Sequence, residues 1–293
     1  MRYLALLLSF ISGLAYAAPK VAVSLSAIGA LTTSLMAGLG NPTLLQPANA
    51  DPHHYQLKPS EQMVLQNADL VIWIGPTMEH AFAKPISQLN PEKVLTLMSL
   101  PNLKRQMLEN GTEMSEDALD TDRSAFDPHI WLDPDNAIVM SKAIAAKLMQ
   151  VDPSHKAAYQ SNLDHVLQKL QLAIPKLDKK MAPLKGKKFY TFHDSLKAFD
   201  HRFGLDLDSG ITDNLESALS LYRVEIIKKD MEANKAKCIF KEPTVSNAQL
   251  AALTEGSTLK VIDIKTLPTT IDHGVQDYID MLNDIAAAFV LCS

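Results

Sequence analysis

Short apolar runs alternate with helix-length segments along nearly the whole chain, and that alternation constrains the fold more than any other feature. Lys20 opens the run KVAVSLS, which leads into the helical stretch AIGALTTSLMAGL. TLLQ, a helix from Ser60, LVIWIG, a helix around His80 and KVLTLM continue the rhythm. Downstream it recurs as KKFYTF, SLKAFDHRFG, KCIFKEP, a helix near Asn247, LKVIDI and a closing helix from Val275 to Leu291. Strands that are apolar on both faces and separated by helices belong to parallel sheets covered on both sides. The expected fold class is therefore α/β, with two doubly wound parallel-sheet lobes.

Between the two halves lies a segment of different character. Asp152-Pro153 carries a helix-start signal and Gly186 a stop. Leu163, Val166, Leu167, Leu170, Ala173, Ile174 and Leu177 keep helical spacing between them, with Pro175 a possible kink. One helix of roughly 25 residues spans about 37 Å, the width of a domain. It predicts a stiff spine over residues 152–186, with one lobe over 18–151 and the other over 187–293. Residues 102–128 read as a solvated surface loop, with seven acidic and three basic residues and no histidine.

The first 17 residues have the layout of a secretory signal peptide. Arg2 precedes the apolar run YLALLLSFISGL, and Ala15-Tyr16-Ala17 places small residues at the cleavage positions. The run is too short for a membrane span. Cleavage after Ala17 leaves a soluble, exported chain starting at Ala18, with no nearby cysteine to take a lipid. In an oxidising compartment the two cysteines, Cys238 and Cys292, are expected to form a disulfide. It would tie the last helix to a strand and close a loop of about 55 residues, worth roughly 4 kcal/mol in the chain-entropy picture. The formal net charge is −5 over 293 residues, which argues against nucleic acid as a partner.

Three of the nine histidines have informative contexts. His53 lies in DPHHYQLKPSE just beyond TLLQ, His129 in DPHIWLDP, and His193 in FHDS at the carboxyl end of KKFYTF. Ligands of open parallel sheets sit outside the carboxyl ends of the strands. Each histidine also has an aspartate one or two residues away, a partner for its second ring nitrogen. Separations of 76 and 64 residues match no local zinc-ligand spacing. By pattern alone, an ordinary hydrogen-bonded or surface histidine is the better reading of each.

The segments DPHHYQLKPSEQMVLQNADLVIWIGPTMEHAF, DPHIWLDPDNA, FHDSLKAFDHRFGL and KCIFKEP supply what spacing does not. Together they resemble the cluster A-I (cluster 9) solute-binding proteins of bacterial ABC metal importers, nearly end to end and in the same order. That resemblance implies two α/β lobes joined by one long helix, with metal in the cleft between them. It puts the family's metal-binding histidines on His53, His129 and His193. The implied role is a periplasmic, monomeric carrier that delivers metal to a membrane permease working with a cytoplasmic ATPase. Manganese-binding relatives tend to have a glutamate at the third position, so a third imidazole at His193 selects Zn2+.

This chain departs from the family at three points. Pro52 stands where some relatives have a glutamate, and Lys265 aligns with the family's aspartate on the last strand. The loop before the second histidine is acidic here rather than histidine-rich. Water, Asp263 or His80 remain open as the fourth ligand. His54 is expected to point away from the site, His155, His165 and His201 lie on helix surfaces, and His273 lies in a loop. An exported zinc hydrolase would need a motif such as HExxH, which is missing. A manganese carrier and a metal-dependent adhesin are competing readings, the adhesin disfavoured by the missing lipid-anchor cysteine.

Overall fold

The computed structural model describes residues 17–48, 50–107, 126–212, 221–245 and 247–293. The expected signal segment, apart from Ala17, and the acidic stretch 108–125 fall outside these residues. No described helix is long and apolar enough to cross a membrane.

The first lobe is built from β1 (Val21–Val23), α1 (Ser26–Leu35), β2 (Thr43–Leu44), α2 (Pro59–Asn67), β3 (Leu70–Trp73), α3 (His80–Ser87) and β4 (Val94–Thr96). Its sheet has the order β2-β1-β3-β4 and every pairing is parallel. Every residue of β1 and β3 is buried, which is why these strands read as unbroken apolar runs rather than alternating ones. α4 (Pro134–Val151) follows, with Pro134 at its first position and the Asp133 carboxylate accepting from the Asp135 amide as N-cap.

A short 3₁₀ turn leads into α5 (Lys156–Met181), which runs without interruption through Pro175. Tyr159, Leu163, Val166, Leu170, Ile174, Leu177 and Met181 form its buried stripe, three or four residues apart. At 26 residues α5 is about 39 Å long. The second lobe contains β5 (Lys188–His193), α6 (Lys197–Phe203), β6 (Asp206–Thr212), α7 (Leu221–Ala233), β7 (Cys238–Lys241), α8 (Asn247–Thr254), β8 (Lys260–Asp263) and α9 (Val275–Cys292). Its sheet, β6-β5-β7-β8, is again wholly parallel. The two sheets and their connecting helix are those that the alternation predicts. The apolar pattern does not mark β6, an edge strand whose sequence DLDSGIT mixes charged, small and apolar residues.

The lobes share one interior. A continuous apolar cluster joins Leu25 and Ile28 of the first lobe, Val166 and Leu170 of α5, and Phe240 and Phe289 of the second. α9 belongs to the second lobe by sequence, yet it packs on both α5 and α1. At its start the Ser34 hydroxyl of α1 accepts from the Val275 amide at 2.8 Å. Gly274, with φ of +62°, permits that approach, since a Cβ there would lie 2.1 Å from Ser34 Oγ. At the other end of α9, Cys292 is bonded to Cys238 at the start of β7. α9 therefore straps the two lobes together beside the spine.

Candidate metal centre

Each sheet reverses strand order once, between β1 and β3 in the first lobe and between β5 and β7 in the second. Crevices at the carboxyl ends of such switch points are the ligand sites of open parallel sheets. His193 is the last residue of β5 and lies on the second crevice. His53 lies in the turn beyond β2, where the Asp51 carboxylate shapes the chain. One Asp51 oxygen accepts from the His53 amide at 3.0 Å, and the other lies 2.8 Å from Nδ1 of His54. His54 is thereby turned away and stays exposed.

His129 opens a 3₁₀ turn over Ile130–Leu132 and is buried. Asp127, buried as well, accepts from His129 Nδ1 at 2.7 Å and from its backbone amide at 3.2 Å. This fixes the tautomer and leaves Nε2 as the free electron-pair donor. The acidic stretch is therefore not uniformly solvated, because its last acidic residue is part of the site. Trp131 Nε1 donates to the Thr266 carbonyl at 2.7 Å, and Tyr278 of α9 donates to the Trp131 carbonyl at 2.6 Å. A segment of the first lobe is thus moored to two elements of the second. No local signal could reveal these contacts, which join residues 135 and 147 positions apart.

The three histidines meet. His53 Nε2 and His129 Nε2 are 3.2 Å apart, and one ligand atom from each of His53, His129 and His193 lies within 4.8 Å of the others. Two nitrogens held by one tetrahedral zinc at its usual bond length would be about 3.3 Å apart. The ring centroids are 5.2, 5.5 and 5.6 Å apart, with the planes steeply inclined. Both ring nitrogens of His193 are buried without a hydrogen-bond partner among the described residues. A buried imidazole in that state is costly unless a cation completes it.

Electrostatics keep two of the rings neutral. Burial, then the charges of His129 and His193, drive the His53 pKa from 6.5 to about 2. Burial lowers that of His193 as well. For His129 burial also pulls downward, but the adjacent Asp127 carboxylate outweighs it and the net shift is upward. A raised imidazole pKa beside a carboxylate marks a more basic nitrogen, the property a metal ligand needs.

The remaining candidates lie elsewhere. His80, the first residue of α3, is exposed, although its charge is felt by His53. Asp263 is ion-paired with Lys241 at 2.6 Å. His165, His201 and His273 are exposed, and His155 pairs with Asp152 at 2.7 Å.

Residues 21–292 match the family described as ZnuA, the periplasmic component A of a zinc-uptake complex. The chain belongs to the ZnuA family. Among its relatives, the high-affinity zinc uptake system protein ZnuA of Yersinia pestis is 28% identical over 94% of this chain and 92% of that protein. ZnuA of Paracoccus denitrificans is also 28% identical, over 94% of this chain and 91% of its own length. In solved structures the fold recurs in a ZnuA crystal structure, with TM-score 0.77 and 24% identity over 92% of this chain and 99% of that one. It recurs also in the periplasmic zinc-binding protein TroA of Treponema pallidum, with TM-score 0.75 and 20% identity over 93% and 99%. This family membership makes the chain a solute-binding component rather than an enzyme.

Proposed function

We propose that this protein captures one zinc ion between its lobes through His53, His129 and His193. It then delivers the ion to the membrane permease of an ABC importer driven by a cytoplasmic ATPase. The observation that carries the reading is the convergence of three imidazoles, two of them held neutral and the third oriented by Asp127. An all-nitrogen set of this kind suits zinc and disfavours manganese, which prefers oxygen donors. The relatives are named for high-affinity zinc uptake, and the family for a periplasmic component, which supports both the cargo and a periplasmic location; cleavage near Ala17 rests on the small residues Ala15 and Ala17 alone.

The two lobes divide the ligands, with His53 and His129 on one and His193 on the other. A permease that shifts one lobe against the other would separate them, and a displacement of about 1 Å exceeds the tolerance of a zinc–nitrogen bond. The shared core and the α9 strap favour such a small motion over a wide opening. The test is native mass spectrometry of metal-stripped, monomeric mature protein titrated with zinc, beside a His53→Ala, His129→Ala, His193→Ala variant. One zinc held by the parent and lost by the variant is the expected result. Equal uptake by both would rule out this site.

A further inference from the structure

His129 reaches the metal centre from a turn that is first-lobe by chain order but second-lobe by contact. The 3₁₀ turn over Ile130–Leu132 packs directly on α6, the helix that follows His193. From α6, Arg202 reaches the carboxylates that close the turn, Asp133 at 3.8 Å and Asp135 at 2.9 Å. The indole N–H of Trp131 donates to the Thr266 carbonyl at 2.7 Å, and the Tyr278 hydroxyl donates to the Trp131 carbonyl at 2.6 Å. The Trp131 ring centroid lies 5.3 Å from that of His129, so the ligand rests against the anchored side chain. On its other side the turn meets the loop after β4, where the Asp127 amide donates to the Gln106 carbonyl and the Lys104 amide to Asn136.

The turn that carries His53 is braced differently. The Asp51 carboxylate accepts from the His53 amide and the Asp51 carbonyl from the Tyr55 amide, both at 3.0 Å. The Tyr55 hydroxyl donates to Glu61 of α2 at 2.7 Å. All of these bonds stay within one short stretch of the first lobe. His53 is half-buried, whereas His129 and His193 are buried, so His53 stands on the solvent side of the cluster. A segment braced by its own neighbours opens at lower cost than one bonded across a core.

We propose that His129 and His193 form a fixed pair on which zinc seats, and that His53 is the gate ligand, closing last and leaving first. Trp131 and Tyr278 are the positioning residues that fix the pair. The inference rests on the zinc-carrier reading above. Chain order groups His129 with His53, but contacts group it with His193. The boundary that a permease must open therefore runs between His53 and the other two ligands. Release begins with the loss of one zinc–nitrogen bond rather than two at once. With His53 withdrawn, the ion keeps two imidazoles and gains an open position that an incoming ligand can occupy.

The test follows zinc release into excess chelator by stopped flow for the full mature parent, Tyr278→Phe and Tyr159→Phe. Tyr159 is the matched control, a buried tyrosine whose hydroxyl donates to Asp152 at 3.0 Å at the amino end of the spine. Circular dichroism and metal-free melting establish that each variant is folded, and Trp131→Phe carries the same test should Tyr278→Phe fail to fold. Tyr278→Phe is expected to release zinc roughly 3- to 10-fold faster than the parent, the weight of one hydrogen bond, while Tyr159→Phe keeps the parent rate. In chelator competition, His53→Ala is expected to retain more zinc affinity than His129→Ala. Parent-rate release by Tyr278→Phe, or equal acceleration in Tyr159→Phe, overturns the proposal, because a general loss of stability does not single out the site. Affinity in His129→Ala equal to or above that of His53→Ala overturns it as well. If the parent itself binds no zinc, the carrier reading fails instead, so the two failures are distinguishable.

Discussion

Replacing Asp127 with asparagine isolates the electrostatic part of the site with almost no change in shape. Asp127 Oδ1 accepts from both Nδ1 and the backbone amide of His129, and all of these groups are buried. A hydrogen bond to a charged group contributes about 1.5–3 kcal/mol, which corresponds to roughly 10- to 100-fold in an equilibrium constant. An asparagine oxygen still accepts, so the orientation of the ring survives and the lower part of that range applies, roughly 10- to 30-fold in zinc affinity at pH 8. The pH dependence gives a sharper signature. The carboxylate raises the pKa of His129 above its ordinary 6.5, so in the parent zinc must displace a proton as the pH falls through and below that value. Without the carboxylate, the ring holds its proton less firmly and the acid penalty begins at lower pH. The affinity ratio between parent and Asp127→Asn should therefore narrow from pH 8 to pH 6. Chelator competition at fixed ionic strength measures it. Equal affinities at pH 8, or a ratio that widens in acid, would refute the assigned role.

Three further outcomes follow from the same structure. Burial pushes the Glu79 carboxyl from 4.5 to about 7, although Ser24 and the amides of Ile74 and Gly75 donate to it. Between pH 4.5 and 7 the folded state then holds a proton that the unfolded state has released, so stability falls as pH rises, by about 3 kcal/mol across that window. Glu79→Gln should gain on the parent by that amount in denaturant titrations from pH 4.5 to 7.5, and parallel curves would contradict the assignment. Arg202 of α6 bridges Asp135 and Asp178 at 2.9 Å and approaches the buried Asp133 at 3.8 Å. Arg202→Met should cost about 1–3 kcal/mol in chemical unfolding while still taking up one zinc ion, and no loss of stability would show that this network contributes nothing. Removing the Cys238–Cys292 bridge by double serine substitution should cost about 2–4 kcal/mol with zinc stoichiometry unchanged by mass spectrometry; lost zinc would mean that the bridge also shapes the site.

Much of this architecture is legible in the chain because it follows from local physics. LVIWIG can only be a strand buried on both faces, and the 3.6-residue stripe from Leu163 to Leu177 can only be a helix with one apolar side. Two sheets, one spine and the residue types at His53, His129 and His193 follow from that, with motif resemblance selecting these three from nine histidines. Sequence could not bring the three together, since they are separated by 76 and 64 residues, and His193 ends a strand of the second sheet while His53 and His129 lie outside the strands of the first lobe. Their convergence depends on two strand-order reversals facing each other, set by the packing of α5 and α9 against both lobes. The buried role of Asp127 and the mooring of Trp131 to Thr266 and Tyr278 were likewise decided in three dimensions. A charge run reads as solvated until burial shows which carboxylate faces inward. Backbone pattern is a local property and can be read from neighbours in the chain, whereas burial and ligand geometry depend on contacts between distant segments, which exist only once the core has closed.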